Sequence, residues 1–542
     1  MGTYINIGNS AFTRARNTEY IDKSALIAVV NDTLDTDRCF SCVSRSRRFG
    51  KSMAASMLCA YYDKSCDSRE LFADLEIAKM PLFEQHLNKY RVLYLDLSKL
   101  VSLFKDNEQI VSLIQELVIA DVRAAFPDTE TRPYDTLSDI LLRISEKHDE
   151  KFFLIVDEWD AICREFQPGD KAMDSYITWL RSMFKDINAS RIFAGVYMTG
   201  IFPVKKYKTE SALNNFWEYS MIDPGELAGH FGFRRREVEY LCRKYGMDYA
   251  DMAVWYDGYT IGDEPSIFNP SSVIKAVQRH RCRSYWSATG SYDQVANYIN
   301  MNIHGLKDDI ILLLAGGRCH VDTTGFANDM HEVHTKDDVL TVLIHLGYLS
   351  YDWNKEECFI PNMEVRKEMA NAIKSNNWRV AEAIDNSRRL LQDTLAGNEE
   401  AVAKGIEKVH EDETSILSYH DENSLSCVLS IAYYAARNDY GIHRELASGK
   451  GFADLVLIPR RHVDRPAIVL ELKYAQDAET AIAQIKRKNY IGKVAEYTGE
   501  ILLVGINYNK EGVEGKKHTC RIEKIVKGDL PDPSLSAIQP SE

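Results

Sequence analysis

Relative to its acids, this sequence is short of positive charge: Lys and Arg total 66 against 80 Asp and Glu, a net charge of −14. That balance excludes coating a nucleic acid by bulk charge, so any such contact needs a local basic patch. Also lacking is an apolar run long enough to span a bilayer, and the opening MGTYINIGNSAFTR has no apolar core of a secretory signal. The expectation is a cytoplasmic protein with no membrane partner. The 11 cysteines are scattered and odd in number, which fits reduced thiols better than a disulfide framework. Cys39-Phe40-Ser41-Cys42 has the spacing of zinc and redox dithiols, but no second such pair exists. Its place in a strand candidate predicts a buried structural role.

What is present suits an enzyme. The 542 residues are 45% hydrophobic and 27% charged, an ordinary globular composition. That length implies roughly two to four domains. Arg38 to Ser44 reads as a strand and Ser52 to Lys64 as a helix, with Arg47-Arg48-Phe49-Gly50-Lys51-Ser52 between them, the context that a phosphate-cradling loop requires. The general pattern has a Gly where Arg45 stands, so the match is partial. Further strand candidates at Val92 to Leu97, Phe152 to Val156 and Ile192 to Tyr197 alternate with helical stretches, which predicts an α/β domain with a parallel sheet.

The continuous apolar run Phe152–Val156 ends in Asp157-Glu158, where a phosphate-bound Mg²⁺ needs its partner. The expected ligand is ATP with Mg²⁺. Amides around Gly50, the Lys51 ammonium and the helix amino terminus would stabilise the phosphates. The Ser52 hydroxyl and Asp157 would hold the metal, and Glu158 would orient the attacking water. Thr199, at the end of the next strand candidate, would supply a polar contact to the γ-phosphate.

Arg45-Ser46-Arg47-Arg48-Phe49-Gly50-Lys51-Ser52 resembles the loop Arg-Pro-Arg-Arg-Phe-Gly-Lys-Ser of the bacterial AAA-ATPase-like family. The missing Gly is ordinary there, and Ser46 in place of Pro is the departure, expected to loosen the loop slightly. The resemblance takes in Tyr20-Ile21-Asp22-Lys23-Ser24, Asp157-Glu158-Trp159-Asp160 and Thr199-Gly200. It continues through Trp255-Tyr256-Asp257-Gly258-Tyr259, Phe268-Asn269-Pro270-Ser271-Ser272-Val273 and Tyr285-Trp286. The aromatic cluster around Gly258 carries no reactive group and is expected to be a packed turn. Arg234, Arg235 and Arg236 are visible candidates for an arginine finger, though no motif selects them.

Farther on, Asp337 to Leu349 reads as an amphipathic helix, followed by a hairpin over Ser350 to Pro361 and a helix from Glu364. That order suits a small winged-helix module. Asn376 to Glu413 is polar and rich in charge, and is read as a helical connector.

In the carboxyl-terminal part, Ala453–Ile458 and Ala467–Lys473 read as strands joined by a polar turn. Glu471 and Lys473 then share a face, because side chains alternate along a strand. If Asp454 pairs across to that face, two carboxylates and an ammonium converge, as Mg²⁺-dependent phosphodiester hydrolysis requires. With Gln484, Lys488 and Tyr490 on the following helix, this pattern resembles the PD-(D/E)XK nuclease superfamily. The resemblance implies Asp454 and Glu471 as metal-binding acids, Lys473 as the catalytic lysine, Gln484 as a helix partner and Glu422 as the first-helix acid. Glu445 stands as the alternative to Glu422. Lys486-Arg487-Lys488 and Lys516-Lys517 would provide the local basic patch.

The expected organisation is a P-loop AAA-like ATPase domain at 1–225, a helical and winged-helix-like region at 226–372 and a helical connector at 373–418. A restriction-endonuclease-like α/β domain at 419–528 and a flexible tail at 529–542 complete it. The leading expectation is an ATPase fused to a nuclease acting on nucleic acid, DNA in the first instance, with room for a homo-oligomer. The alternative is a nucleotide-dependent switch or signalling ATPase whose nuclease-like domain binds without cutting.

Overall fold

The computed structural model describes residues 2–525 apart from 105–106, 133, 168, 205, 208–209, 212, 287–291, 300, 302, 315, 327–332, 375–377, 413–428, 430–431, 449–450, 461–462, 475, 488–499, 510 and 513–516. The chain divides into two compact units, Met1–Val295 with His320–Glu368, and Ala296–Cys319 with Met369–Glu542. No disulfide joins the described cysteines. Among the described residues no helix is long and apolar enough to cross a membrane.

In the first unit, β1 (Phe40–Ser44), β2 (Arg91–Asp96), β3 (Phe152–Asp157), β4 (Phe193–Gly200) and β5 (Trp217–Tyr219) form one sheet. Their order is β2-β3-β4-β1-β5, and each neighbouring pair is parallel. Every residue of β3 and β4 is buried, which is why both read as unbroken apolar runs. Helices cover both faces of the sheet. One face buries the side chains of Phe152, Leu154 and Val156 with helices Ile110–Ala125, Leu137–His148 and Lys171–Phe184. The other sets Phe153, Ile155 and Tyr197 against α1 (Lys51–Tyr62).

Register brings the functional ends together. Ser44 pairs with Gly200, Val156 with Met198, and Asp96 with Asp157, so the ends of β1 to β4 form one carboxyl edge at which α1 begins. In parallel sheets, ligand sites lie at this edge. Cys42 is fully buried on β1, in keeping with a structural role for its motif.

Also in this unit, helix Lys336–Leu346, the antiparallel strands Ser350–Asp352 and Glu357–Phe359, and a helix that starts at Met363 follow in the order expected of a winged-helix module. The Gly258 cluster is a packed turn, as expected. Gly258 has φ +101°, and a Cβ there would come within 2.0 Å of the Pro361 carbonyl oxygen. Tyr259 donates its hydroxyl to the Gly347 carbonyl at 2.8 Å.

The second unit holds a five-stranded sheet in simple sequence order: β6 (Tyr440–Ser448), β7 (Gly451–Pro459), β8 (Ala467–Tyr474), β9 (Ile501–Tyr508) and β10 (His518–Ile525). Only β8 and β9 run parallel, with helix Ala478–Arg487 in the crossover between them. The polar stretch read as a connector is two helices, Trp378–Ala396 and Glu399–Asp412. Leu390, Leu391, Val402, Ile406 and Val409 from these helices share a buried core with Leu455, Leu470 and Val504 of the sheet. Their apolar residues recur at helical spacing inside a charged sequence, so a strip narrow in composition is still wide enough to bury.

Candidate functional site

The phosphate loop leaves β1 with a residue that never reaches the surface. Arg45 is fully buried and donates to the carbonyls of Ser44, Tyr219, Ser220 and Leu227 at 2.9, 2.8, 2.8 and 3.2 Å. Its guanidinium also lies over the Phe231 ring, 5.1 Å from the centroid. Burial pulls its pKa down to about 10. Arg45 is thus the peg that fixes the loop to β5 and the segment after it. Arg48 has φ +70° and Gly50 φ +96°; a Cβ on Gly50 would meet nothing within 4 Å, leaving the loop's inner side open. Gly50 then caps α1, whose first residues present their backbone N–H groups to the loop.

The loop borders a cavity of about 870 Å³ lined by Arg47 to Ser52, Asp157, Glu158 and Arg164 at one end. Tyr20, Ile21, Met53, Met57, Phe233 and Ile274 add apolar surface to the lining, interspersed with Glu19, Lys23, His230 and Lys275. Lys51 is buried and its Nζ donates to the carbonyls of Arg45 and Ser46 at 2.8 and 3.2 Å. It lies 3.9 Å from Glu158 Oε1. Burial lowers the Lys51 pKa, against the opposing pull of Glu158, Asp160 and Asp157.

The four residues after Val156 do four different things. Asp157 accepts the Thr199 hydroxyl on Oδ1 and the Tyr94 hydroxyl on Oδ2 at 3.2 Å. Burial raises its pKa, partly offset by hydrogen bonds from Thr199 and Ser52. Glu158 has φ +56°, a left-handed conformation that a non-glycine residue adopts at a cost of about 1–3 kcal/mol. Its Oε2 receives Arg164 Nη2 at 2.5 Å. Burial works to raise its pKa, but Lys51, Arg164 and Arg47 together hold it below the ordinary carboxyl value. Trp159 donates Nε1 to the Phe202 carbonyl at 3.2 Å. Asp160 accepts the backbone N–H groups of Ile201 and Phe202 at 3.0 and 3.1 Å, tying the acidic turn to the end of β4.

The sequence-predicted residues therefore gather at one edge, with differences in detail. Arg47, Gly50, Lys51, Ser52, Asp157 and Glu158 share the cavity wall. Thr199 is fully buried behind it, giving its hydroxyl to Asp157 while accepting the Glu158 N–H at 3.3 Å. Phe49 turns its ring onto Tyr259, 5.0 Å between centroids, and Arg48 directs Nη1 to the Tyr285 carbonyl at 2.8 Å. Arg234 pairs with Glu264 and Arg235 with Glu239, each at 2.8 Å. Arg164 is the residue sequence reasoning missed. The signal was its position four residues after Asp160, one helical turn, and the two sit 3.7 Å apart.

In the second unit, Glu471 is buried on β8, accepting Lys473 Nζ on Oε1 at 3.1 Å and the Gln484 amide on the same oxygen. Gly505, paired with Glu471 on β9, lets the helix come close: a Cβ there would meet the Ala478 carbonyl oxygen at 2.3 Å. For Asp454 the structure gives the backbone position. The pairs Leu455–Leu470, Val456–Val469 and Leu457–Ile468 set β7 against β8, and the same register continued by one residue places position 454 across from 471. Between the pairs Arg444–Leu455 and Leu446–Ala453 on the other side lie Glu445 and position 454. Positions 445, 454 and 471 thus form a row across three neighbouring strands. Glu422, Lys488, Tyr490 and Lys516 lie outside the described residues. Lys486 pairs with Glu523 at 2.5 Å. Among the described residues no group of three or more His, Cys, Asp or Glu side chains forms a ready metal cluster.

These two sites define a P-loop nucleoside-triphosphatase fold and a mixed-sheet α/β fold of nuclease type within one chain. Residues 5–209 match the family model described as Predicted AAA-ATPase, AAA-ATPase-like, and residues 421–517 match the PD-(D/E)XK nuclease superfamily. The chain carries an AAA-ATPase-like domain and a carboxyl-terminal PD-(D/E)XK nuclease-superfamily domain. No curated protein matches the sequence. Solved structures with a similar course include the Aeropyrum pernix ORC2 protein in ADPNP-ADP complexes, at 14% identity and TM-score 0.28, covering 67% of this chain and 98% of that one. The Aeropyrum pernix ORC1 protein in complex with DNA follows at 12% identity and TM-score 0.25, covering 70% and 99%. Likeness this distant carries no weight for the chemistry of either site.

Proposed function

We propose that the first unit binds and hydrolyses ATP with Mg²⁺, and that the second cleaves a nucleic acid phosphodiester, DNA in the first instance, under the control of that nucleotide cycle. The observation that carries the reading is the meeting of Ser52, Asp157 and Glu158 with Lys51 at the open side of one loop. A serine hydroxyl close enough to a carboxylate to lower its pKa gives the oxygen-only donor set that Mg²⁺ accepts when phosphates complete its shell, so the residues fit this metal. Bound there, Mg²⁺ would draw charge from the β- and γ-phosphates.

The chain's own groups would do the rest. Lys51 exchanges its two carbonyl partners for phosphate oxygens, and the α1 amides add their dipoles. Glu158, held ionised by its basic neighbours, accepts a hydrogen bond from water and orients it. The apolar part of the lining suits the face of a base.

In the second unit, Glu471 and positions 454 and 445 are the acids proposed to hold Mg²⁺, which would supply Lewis-acid help at the scissile phosphate. Lys473, already aimed at Glu471, orients the attacking water. The full chain should be assayed for ATP hydrolysis and for cleavage of linear and supercoiled DNA with Mg²⁺, with and without ATP, beside Lys51→Ala and Lys473→Ala. The reading requires Lys51→Ala to abolish hydrolysis and Lys473→Ala to abolish cleavage. Cleavage surviving Lys473→Ala removes the nuclease assignment. Nucleic acid binding without cleavage in the wild type favours the switch reading instead.

A further inference from the structure

The helix that starts at Met363 carries two buried carboxylates one turn apart, Glu364 and Glu368, 1% and 5% exposed, which none of the proposed chemistry uses. A buried acid needs donors aimed at it, and both find them in one short segment. The Tyr285 backbone N–H donates to Glu364 Oε1 at 2.6 Å, and the Ser284 hydroxyl donates to Glu368 Oε1 at 2.6 Å. Ser272, in the first turn of helix Pro270–Arg279, is fully buried beside the same carboxylate and helps to lower its pKa. The carbonyl of the same residue, on the next peptide, faces the nucleotide-binding loop and receives Arg48 Nη1 at 2.8 Å. Arg48 is the loop residue with φ +70°, a conformation that persists only where the surroundings fix it. Pro270 and Ser271, beside Ser272, line the cavity itself.

We propose that Glu364 is a positioning residue for the nucleotide-binding loop: through Tyr285 it fixes Arg48, and its ionised form holds the loop in the shape that receives phosphate. The inference rests on the nucleotide-site reading above for its functional consequence, though not for its effect on the loop. Ionised, the carboxylate strengthens the bond from Tyr285 N–H and attracts Arg48; protonated, it loses both gains. The charged and titratable groups facing it are Arg48 from the loop, Lys275 from helix Pro270–Arg279, Glu368 on its own helix, and Tyr256 and Tyr259. Burial, with a smaller push from Glu368, raises its pKa to about 7 against the Tyr285, Ser272 and Arg48 interactions. The switch between the two forms therefore falls near neutral pH.

The test uses the full chain at pH 6 and pH 8, as wild type, Glu364→Gln and Ser272→Ala. Hydrogen exchange of the peptide covering 45–52, corrected for the intrinsic rate at each pH, reads the loop without ligand. Titration with a fluorescent ATP analogue and Mg²⁺ reads the site. The wild type should gain about tenfold in loop protection and in affinity between pH 6 and pH 8 relative to Glu364→Gln, the size of one charge-assisted hydrogen bond. Ser272→Ala, which keeps the carboxylate but removes the hydroxyl that lowers its pKa, should move the midpoint of the wild-type change to higher pH. Identical pH profiles for wild type and Glu364→Gln in the exchange measurement would overturn the proposal, as would an unmoved midpoint in Ser272→Ala. If the exchange behaves as expected but no analogue binds at either pH, the nucleotide-site reading fails and the positioning role stands.

Discussion

Arg45→Met offers a quantitative check on why an arginine occupies the first position of the loop. The side chain gives four bonds to main-chain carbonyls and no acid receives it among them. Bonds from a charged donor are worth about 1.5 kcal/mol each at the low end, fitting for a fork whose Nη1 is shared by three acceptors, so about 6 kcal/mol would be lost. Met fills a similar volume and relieves the burial penalty that brings the guanidinium down to about 10, roughly 3 kcal/mol of it. The balance is a loss of about 3 kcal/mol, confined to the first unit. Hydrogen exchange should show it as about a hundredfold fall in protection for peptides covering 40–44 and 217–219, with 501–508 unchanged as an internal control. Arg45→Lys should recover only part, since one ammonium cannot reproduce a planar fork. Protection in Arg45→Met within about threefold of wild type, or full recovery with Lys, would refute the reasoning.

Two further outcomes follow from charge. Removing Arg164 takes away one of the cations that keep Glu158 ionised, so in Arg164→Ala the acid limb of ATP hydrolysis against pH should move up by about one pH unit, while nucleotide affinity changes less. An unmoved limb would show that Glu158 does not set it. In the second unit, His518 Nε2 meets His410 Nδ1 at 3.2 Å, and burial, then His410 and Lys517, push the His518 pKa down to about 3. The unfolded chain takes up that proton near its ordinary value and the folded one does not, so stability is full above about pH 6.5 and declines as pH falls toward 3. Denaturation midpoints measured across that range should fall in the wild type and flatten in His518→Leu.

The strands and the acidic edge were legible because their signals are local. Phe152 to Val156 is apolar without interruption since both faces of β3 are covered, and a carboxylate pair right after such a run has few other reasons to be there. Glu471 and Lys473 could be placed on one face from alternation alone, and Lys473 does reach Glu471. The roles of Arg45, Arg48 and Thr199 were not legible. A buried arginine bonded to carbonyls of residues 219, 220 and 227 depends on partners more than 170 positions away, and in sequence it looks like one more phosphate-facing cation. The same holds for Glu364, which at the start of a helix reads as an ordinary first-turn acid until Tyr285 is brought to it. The stretch from 378 to 412 was legible in principle: Val402, Ile406 and Val409 keep helical spacing, but charge content outweighed that stripe.

The proposed nucleotide site is neutralised group by group. Lys51 rests on the Arg45 and Ser46 carbonyls, Glu158 on Arg164, and Asp157 on hydroxyls from Thr199 and Tyr94. On the proposed reading, binding a triphosphate there would be an exchange of partners rather than the filling of an unpaired field, the gain coming from replacing neutral carbonyls and hydroxyls with charged oxygens and a cation. The same exchange would lengthen or break the Lys51 bonds to the first two loop residues. One of them, Arg45, is pegged to β5, and the other, Ser46, lies against Gly347, where a Cβ would come within 2.6 Å of it. Of these two holds, the Ser46 side against helix Lys336–Leu346 is the one that can yield without breaking the four Arg45 hydrogen bonds.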